Sequence, residues 1–188
     1  MRKATRTTHL PLGNITAAIG QLADERHGTA AASLADLAAP SPGETVVDLG
    51  CRVLADGFRA MRRVGAAGRV RGIVERQADL EHATALRDRW VFADLAYRRA
   101  ALAAVPLDDE VADVVLVNDA LEHTDEPIRL LEEACRLLAP EGRLALGVTE
   151  GEASRLASLL EVLGLEIRTP RALGRGRTAI LATRALSG

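Results

Sequence analysis

Three short stretches of the sequence carry side chains suited to chemistry. The first is Val46-Val47-Asp48-Leu49-Gly50-Cys51-Arg52, an apolar run that ends in an acid and a glycine. In an α/β protein such a turn lies at the carboxyl edge of the sheet, where ligands are usually bound. The second is Asn118-Asp119 with Glu122-His123, directly after another apolar run. Asn118 or Asp119 could orient a substrate there. His123 could act as a general base, because an imidazole titrates near neutrality. The third holds Arg171, Arg175 and Arg177 among Gly174 and Gly176, a basic loop that either grips an anion or lies solvated.

Other reactive residues form no constellation. Cys51 and Cys135 are the two cysteines, too few for a disulfide framework, and both are expected to be packed in the core. His9, His27, His82 and His123 lack the spacing of metal ligands, so no metal is expected. His9 and His27 lie in an N-terminal segment, residues 1–40, that reads as mostly helical and would cover the pocket.

The elements that must position these groups follow from periodicity. Strands are expected over residues 44–49, 69–74, 95–99, 111–117, 143–148, 165–169 and 178–183. Between them helices are expected over 56–64, 77–92, 127–138 and 152–163, the third with Asp125 as cap and Pro127 in its first turn. Pro40-Ser41-Pro42-Gly43 and Pro140-Glu141-Gly142 read as stops. Strands alternating with helices imply an α/β fold with a doubly wound, mostly parallel sheet of about seven strands, its last two forming an antiparallel edge hairpin.

Composition narrows the partners. With 188 residues, 48% hydrophobic and 27% charged, the chain can bury one core, and residues 1–188 read as one domain. A net charge of -2 and only 2% aromatic residues argue against nucleic acid as a partner. There is no apolar run of about 20 residues to span a membrane. The basic opening Met1-Arg2-Lys3 is not followed by an apolar run, so a cytoplasmic protein is expected.

Several ordered motifs resemble the class I methyltransferases that use S-adenosylmethionine. Val46-Val47-Asp48-Leu49-Gly50-Cys51 is similar to their first motif, and Val105-Pro106-Leu107-Asp108-Asp109 with Ala112-Asp113-Val114-Val115 to the approach to their fourth strand. Leu121-Glu122-His123 with Asp125-Glu126-Pro127, then Cys135-Arg136-Leu137-Leu138-Ala139-Pro140-Glu141-Gly142-Arg143-Leu144, continue the likeness. Pro42-Gly43-Glu44-Thr45 and Val64-Gly65-Ala66-Ala67-Gly68-Arg69-Val70 look most like the small-molecule branch that includes arsenite methyltransferases. Those enzymes rely on several cysteines to hold arsenic, a set that two cysteines do not reproduce. The resemblance spans about residues 30–185 and implies a Rossmann-like methyltransferase fold.

It also implies a cofactor site built on Asp48, Gly50, Arg52, Glu75 and Asn118, with S-adenosylmethionine as cofactor and Asp119 and His123 facing a small-molecule substrate. The sequence departs from the family at several of these points. Two later glycines of the first loop are Arg52 and Leu54, and a leucine does not readily take positive φ. Arg52 could pair with the cofactor's carboxylate while repelling its sulfonium, or point to solvent. The ribose-holding acid of the second strand falls on Val74, with Glu75 one step later, and a one-residue step turns a side chain to the other face. Glu75 serves only if the turn is bulged. The acid near the adenine falls on Ala101. In the family the Glu-His pair often packs against the sheet or caps the next helix, which competes with a catalytic His123. The expectation is therefore a methyltransferase-fold protein with eroded cofactor motifs. It would act on a small molecule or as a non-catalytic partner in a biosynthetic pathway, as a homodimer or paired with a homologous methyltransferase. The alternative is an active S-adenosylmethionine-dependent enzyme with an atypical loop.

Overall fold

Branched apolar residues on both faces suit a central strand, and Thr45–Leu49 becomes β1 with a parallel neighbour on each side. The computed structural model describes residues 33–51, 54–90, 95–174 and 176–184. Six further strands join β1: β2 (Arg69–Val74), β3 (Leu95–Arg99), β4 (Ala112–Asn118), β5 (Leu138–Thr149), β6 (Leu165–Gly174) and β7 (Arg177–Arg184). Their order is β3-β2-β1-β4-β5-β7-β6. Only the pairings of β7, with β5 and β6, are antiparallel. The mostly parallel sheet and its antiparallel edge are those expected from the sequence.

Among the described residues five helices cover the sheet: α1 (Leu34–Ala38), α2 (Leu54–Val64), α3 (Gln77–Trp90), α4 (Pro127–Leu137) and α5 (Glu150–Val162). Alternation along the strands assigns the faces. Val46, Val114, Leu116 and Ala145 are buried with Leu34 of α1 and with Phe58 and Val64 of α2. Val47, Val115, Leu144 and Leu146 are buried with Leu130 and Leu131 of α4 and Leu160 of α5. The chain order reverses between β1 and β4, so their two following loops leave toward opposite faces and a crevice is expected there.

Several boundaries differ from the sequence reading. Asp125 does not cap α4; Glu126 holds that position without a side-chain bond, and Pro127 opens the helix. Pro140-Glu141-Gly142 is no stop between helix and strand. Here β5 advances from Leu138 to Arg143 while β4 advances only from Ala112 to Val114, so these residues bulge out of a continuing strand. The closing hairpin is longer than expected, and most of its basic loop lies within β6 and β7. Of the helical N-terminal segment, only α1 falls among the described residues. Ser33 caps it, its Oγ accepting from the Asp36 N–H at 3.2 Å. At its other end Arg143 donates to the Ala38 and Ala39 carbonyls at 2.6 and 3.0 Å and pairs with Glu44. No helix among the described residues is long and apolar enough to cross a membrane.

Candidate functional site

At the crevice between β1 and β4 the described residues pack closely around Gly50. Gly50 has φ +90° and donates its N–H to the Ile73 carbonyl at 2.9 Å. A side chain at Gly50 would stand 2.6 Å from the Ala120 Cβ and 3.7 Å from a Leu102 methyl, so both conformation and space require glycine. Cys51 follows at φ 23°, its thiol donating to the Asp48 carbonyl at 3.2 Å. That sulfur lies 2.6 Å from where a side chain at Gly72 would begin. Burial pushes the Cys51 thiol well above its ordinary pKa, which makes it a packing residue rather than a nucleophile.

Asp48 lies beneath this loop, only 1% exposed. Its Oδ2 and the Tyr97 hydroxyl are both buried without a hydrogen-bond partner among the described residues. They face a common gap, since a side chain at Gly57 would stand 3.4 Å from the Tyr97 hydroxyl and 3.6 Å from Asp48 Oδ2. Burial, with the charge of Asp56 nearby, pushes the Asp48 carboxyl up to about 8. Tyr97 is likewise raised by burial.

Asp56 was not singled out from the sequence, yet it ties three elements together. It sits in the first turn of α2 at 2% exposure. Its Oδ1 accepts from the Ala35 N–H at 3.3 Å, and its Oδ2 accepts from the Asn118 side-chain amide at 3.0 Å. The buried carboxylate thereby joins the α1 start to the end of β4. One sequence signal was available, an acid within the otherwise apolar and small run Leu54-Ala55-Asp56-Gly57-Phe58.

After β4, Asp119 takes φ 61° and leads into a short 3-10 turn at Ala120–Glu122. Arg177 reaches this turn from the start of β7. It pairs with Asp119, donates to Glu122 Oε1 at 2.7 Å and to the Gly147 carbonyl at 3.1 Å. Thus Arg177 does not belong to a solvated loop, as one reading of the sequence had it. His123 is exposed, and it neither packs against the sheet nor caps α4, whose N-cap is Glu126. His82 is also exposed, whereas His9, His27, Arg52 and Arg175 lie outside the described residues. No group of three His, Cys, Asp or Glu able to hold a metal occurs among the described residues.

On the far side of β1, Glu75 is exposed, and its Oε1 accepts from the Leu102 N–H at 3.2 Å. Val74, 1% exposed, shares an apolar cluster with Leu54, 7% exposed. The loop that carries Ala101 and Leu102 is held a second time further along. Glu133 accepts from the Val105 N–H at 2.6 Å, while Arg136 donates to the Val105 and Leu107 carbonyls and pairs with Glu133 and Asp109. Hydrogen bonding to Arg136 holds Glu133 below the ordinary carboxylate range despite burial.

The family model described as "Methyltransferase domain" matches residues 47–146. The chain belongs to this methyltransferase family. The matched segment runs from β1 into β5 and contains Asp48, Gly50, Val74, Glu75, Asn118, Asp119 and His123. Arg177 lies outside it. The arsenite methyltransferase of Halobacterium salinarum is 31% identical over 109 residues, 58% of this chain and 28% of that protein. An uncharacterized 37.1 kDa protein in a transposon of Streptomyces fradiae is 32% identical over 106 residues, 56% of this chain and 30% of its own length. The chain thus aligns with under a third of either relative.

Solved structures of the methyltransferase fold cover nearly all of the chain. An S-adenosylmethionine-dependent methyltransferase from Aquifex aeolicus superposes with TM-score 0.76 at 17% identity, over 93% of this chain and 98% of that one. The [4+2]-cyclase SpnF superposes with TM-score 0.73 at 17% identity, over 94% of each chain. A Haloferax volcanii methyltransferase, solved with the activator Trm112, gives 0.73 at 18% identity, over 94% and 98%. At these identities the likeness is one of fold. Since one neighbour is named for a cyclisation, the methyltransferase fold does not by itself fix the reaction.

Proposed function

We propose that this methyltransferase-fold protein has left standard methyl transfer, and that it acts on a small molecule or as a non-catalytic partner in a biosynthetic pathway. One observation carries the reading. At the two positions where the family resemblance implies a flexible glycine and a ribose-holding acid, Leu54 and Val74 are buried in one apolar cluster. An apolar side chain there offers no acceptor for the cofactor's sugar hydroxyls. Glu75, the nearest acid, already accepts a backbone N–H from Leu102. The residues present therefore do not match the polar set that ordinary S-adenosylmethionine binding needs, and no step is routed through that cofactor. Each lost bond to a charged group would remove about 1.5–3 kcal/mol of affinity.

A second reading is favoured by Asp48, Gly50 and Asn118, which are retained at the crevice. It is an active S-adenosylmethionine-dependent enzyme whose first loop takes an atypical form. In either reading the partners would be a small molecule and a second methyltransferase-like chain, its own copy or a homologue, with no nucleic acid or membrane involved and a cytoplasmic setting. Calorimetric titration with S-adenosylmethionine and with its demethylated product separates the two. No heat at millimolar ligand is expected, and low-micromolar binding would overturn the first reading in favour of the second.

A further inference from the structure

A large opening lies at the other end of the sheet, below α1 and against the hairpin. It is a cleft of about 840 Å³, lined among others by Leu37, Arg143, Ile167, Arg168, Arg171 and Leu181. That volume falls within the roughly 300–1,000 Å³ typical of small-molecule sites. Its amino-edge position, near Ser41 ahead of β1 and Arg143, which pairs with Val114 level with Val46, separates it from the crevice at Gly50.

Two arginines give the cleft its character, and a strand irregularity brings them together. Residues three apart on a regular strand point to opposite faces. Along β6, however, Arg168 pairs with Leu181 and Arg171 with Ala179, so three steps on β6 match two on β7. The extra residue, in the stretch that contains Pro170, forms a bulge that re-aims Arg171 onto the face of Arg168. Ala179 and Leu181 belong to the apolar cluster on the α1 side, which places both guanidinium groups over that face.

Three arginines of the neighbouring strands β5 and β7 are engaged. Arg143 is bonded to Glu44 and to the α1 carbonyls, Arg177 to Asp119 and Glu122, and Arg184 to Glu110 and the Leu138 carbonyl. Arg168 and Arg171 have no ion pair or hydrogen bond among the described residues. Of the acids lining the cleft, Asp36 is drawn toward Arg59 and Arg63, leaving Glu141, exposed on the β5 bulge. Two free planar guanidinium groups beside the apolar surface of Leu37 and Leu181 match a ligand with an oxyanion head and an apolar body.

We propose that this amino-edge cleft binds a small organic anion, with Arg168 and Arg171 holding its carboxylate or phosphate and the apolar wall holding its body. Titration of the full chain with 1-naphthyl phosphate, 1-naphthoate and neutral 1-naphthol tests the assignment. One or both anions should bind, and the better one identifies the head group. Naphthol should bind at least about tenfold more weakly, because charge-assisted bonds supply the recognition. Arg168→Ala with Arg171→Ala should weaken anion binding by about tenfold or more while leaving thermal unfolding unchanged. Arg155→Ala, an exposed arginine on α5, should leave binding as it was. Equal binding of naphthol and the anions, undiminished binding by the double variant, or no anion binding at millimolar concentration would each overturn the proposal.

Discussion

The two ends of this sheet use their side chains in opposite ways. At the carboxyl edge, Leu102 and Ala120 lie over Gly50, Leu54 packs with Val74, and Arg177 is spent on Asp119 and Glu122. At the amino edge, Arg168 and Arg171 stand unpaired beside an open cleft. At the edge that an α/β fold reserves for ligands, these described residues bond and pack with one another. At the amino edge, charge is left unpaired among the described residues beside an open volume. A site is better sought in unsatisfied groups than in topological position alone.

Val74→Asp puts the largest strain on that contrast. If the carboxyl edge is packed as described, the new carboxyl enters an apolar cluster at 1% exposure with no partner. The cost should be about 2–7 kcal/mol, enough to unfold a marginal domain. Urea denaturation followed by circular dichroism measures it. A variant that keeps wild-type stability and gains affinity for S-adenosylmethionine would show instead that this position opens onto a ligand site.

Next in size is the pH response of Asp48. Its folded pKa of about 8 lies above the ordinary value of 3.8, so the native state holds the proton more tightly than the unfolded chain does. Stability from this group is therefore complete below about pH 4 and declines as pH rises toward about 8. Asp48→Asn removes the ionisation and keeps the shape, and Tyr97 faces the same gap as a hydrogen-bond partner for the new amide. The variant should melt higher than wild type at pH 9, by on the order of 1 kcal/mol or more, with the gap closing toward pH 5. Parallel melting curves across this range would contradict a buried neutral carboxyl.

A smaller effect compares one bonded arginine with one free arginine. Arg177→Ala strips the cation from Asp119 and Glu122, whose side chains are 16% and 32% exposed, and should cost about 1–2 kcal/mol, moderated by solvent. Arg171→Ala should change stability by less than about 0.5 kcal/mol. The difference should shrink in 1 M salt, where charges are screened within about 3 Å. Equal costs for the two variants would mean that the cleft arginine is structurally engaged after all.

How far the sequence could be read follows from the range of each determinant. Both β2 and β3 fall on the expected residues, because short branched or aromatic runs between turn-forming segments are local signals. Positions of Asp48, Gly50, Asn118 and Asp119 at the carboxyl edge were legible for the same reason. The reach of Arg177 to Glu122 was not, since it crosses 55 residues of sequence. The facing of Arg168 and Arg171 depends on a register shift that no local pattern announces. Tyr97 beside Gly72 is a contact between strands, visible only once their pairing is known.

The finest prediction concerns Glu75, whose role the sequence left between ligand-holding and plain surface. Its bond to the Leu102 N–H makes it a clasp on the loop that rests over Gly50. Because Glu75 is exposed, losing the bond should lower global stability by only about 0.5 kcal/mol. The local effect is easier to see. Leu102 is 3% exposed, so its amide exchanges only when the loop opens. Glu75→Ala should speed that exchange severalfold, whereas Glu75→Gln keeps a carbonyl acceptor and should preserve protection. The second clasp, Glu133 and Arg136 on Val105 and Leu107, is untouched in both variants, so amides after Leu107 should not change. If Leu102 exchanges at one rate in all three proteins, the loop is held over Gly50 by packing alone and Glu75 is free for another partner.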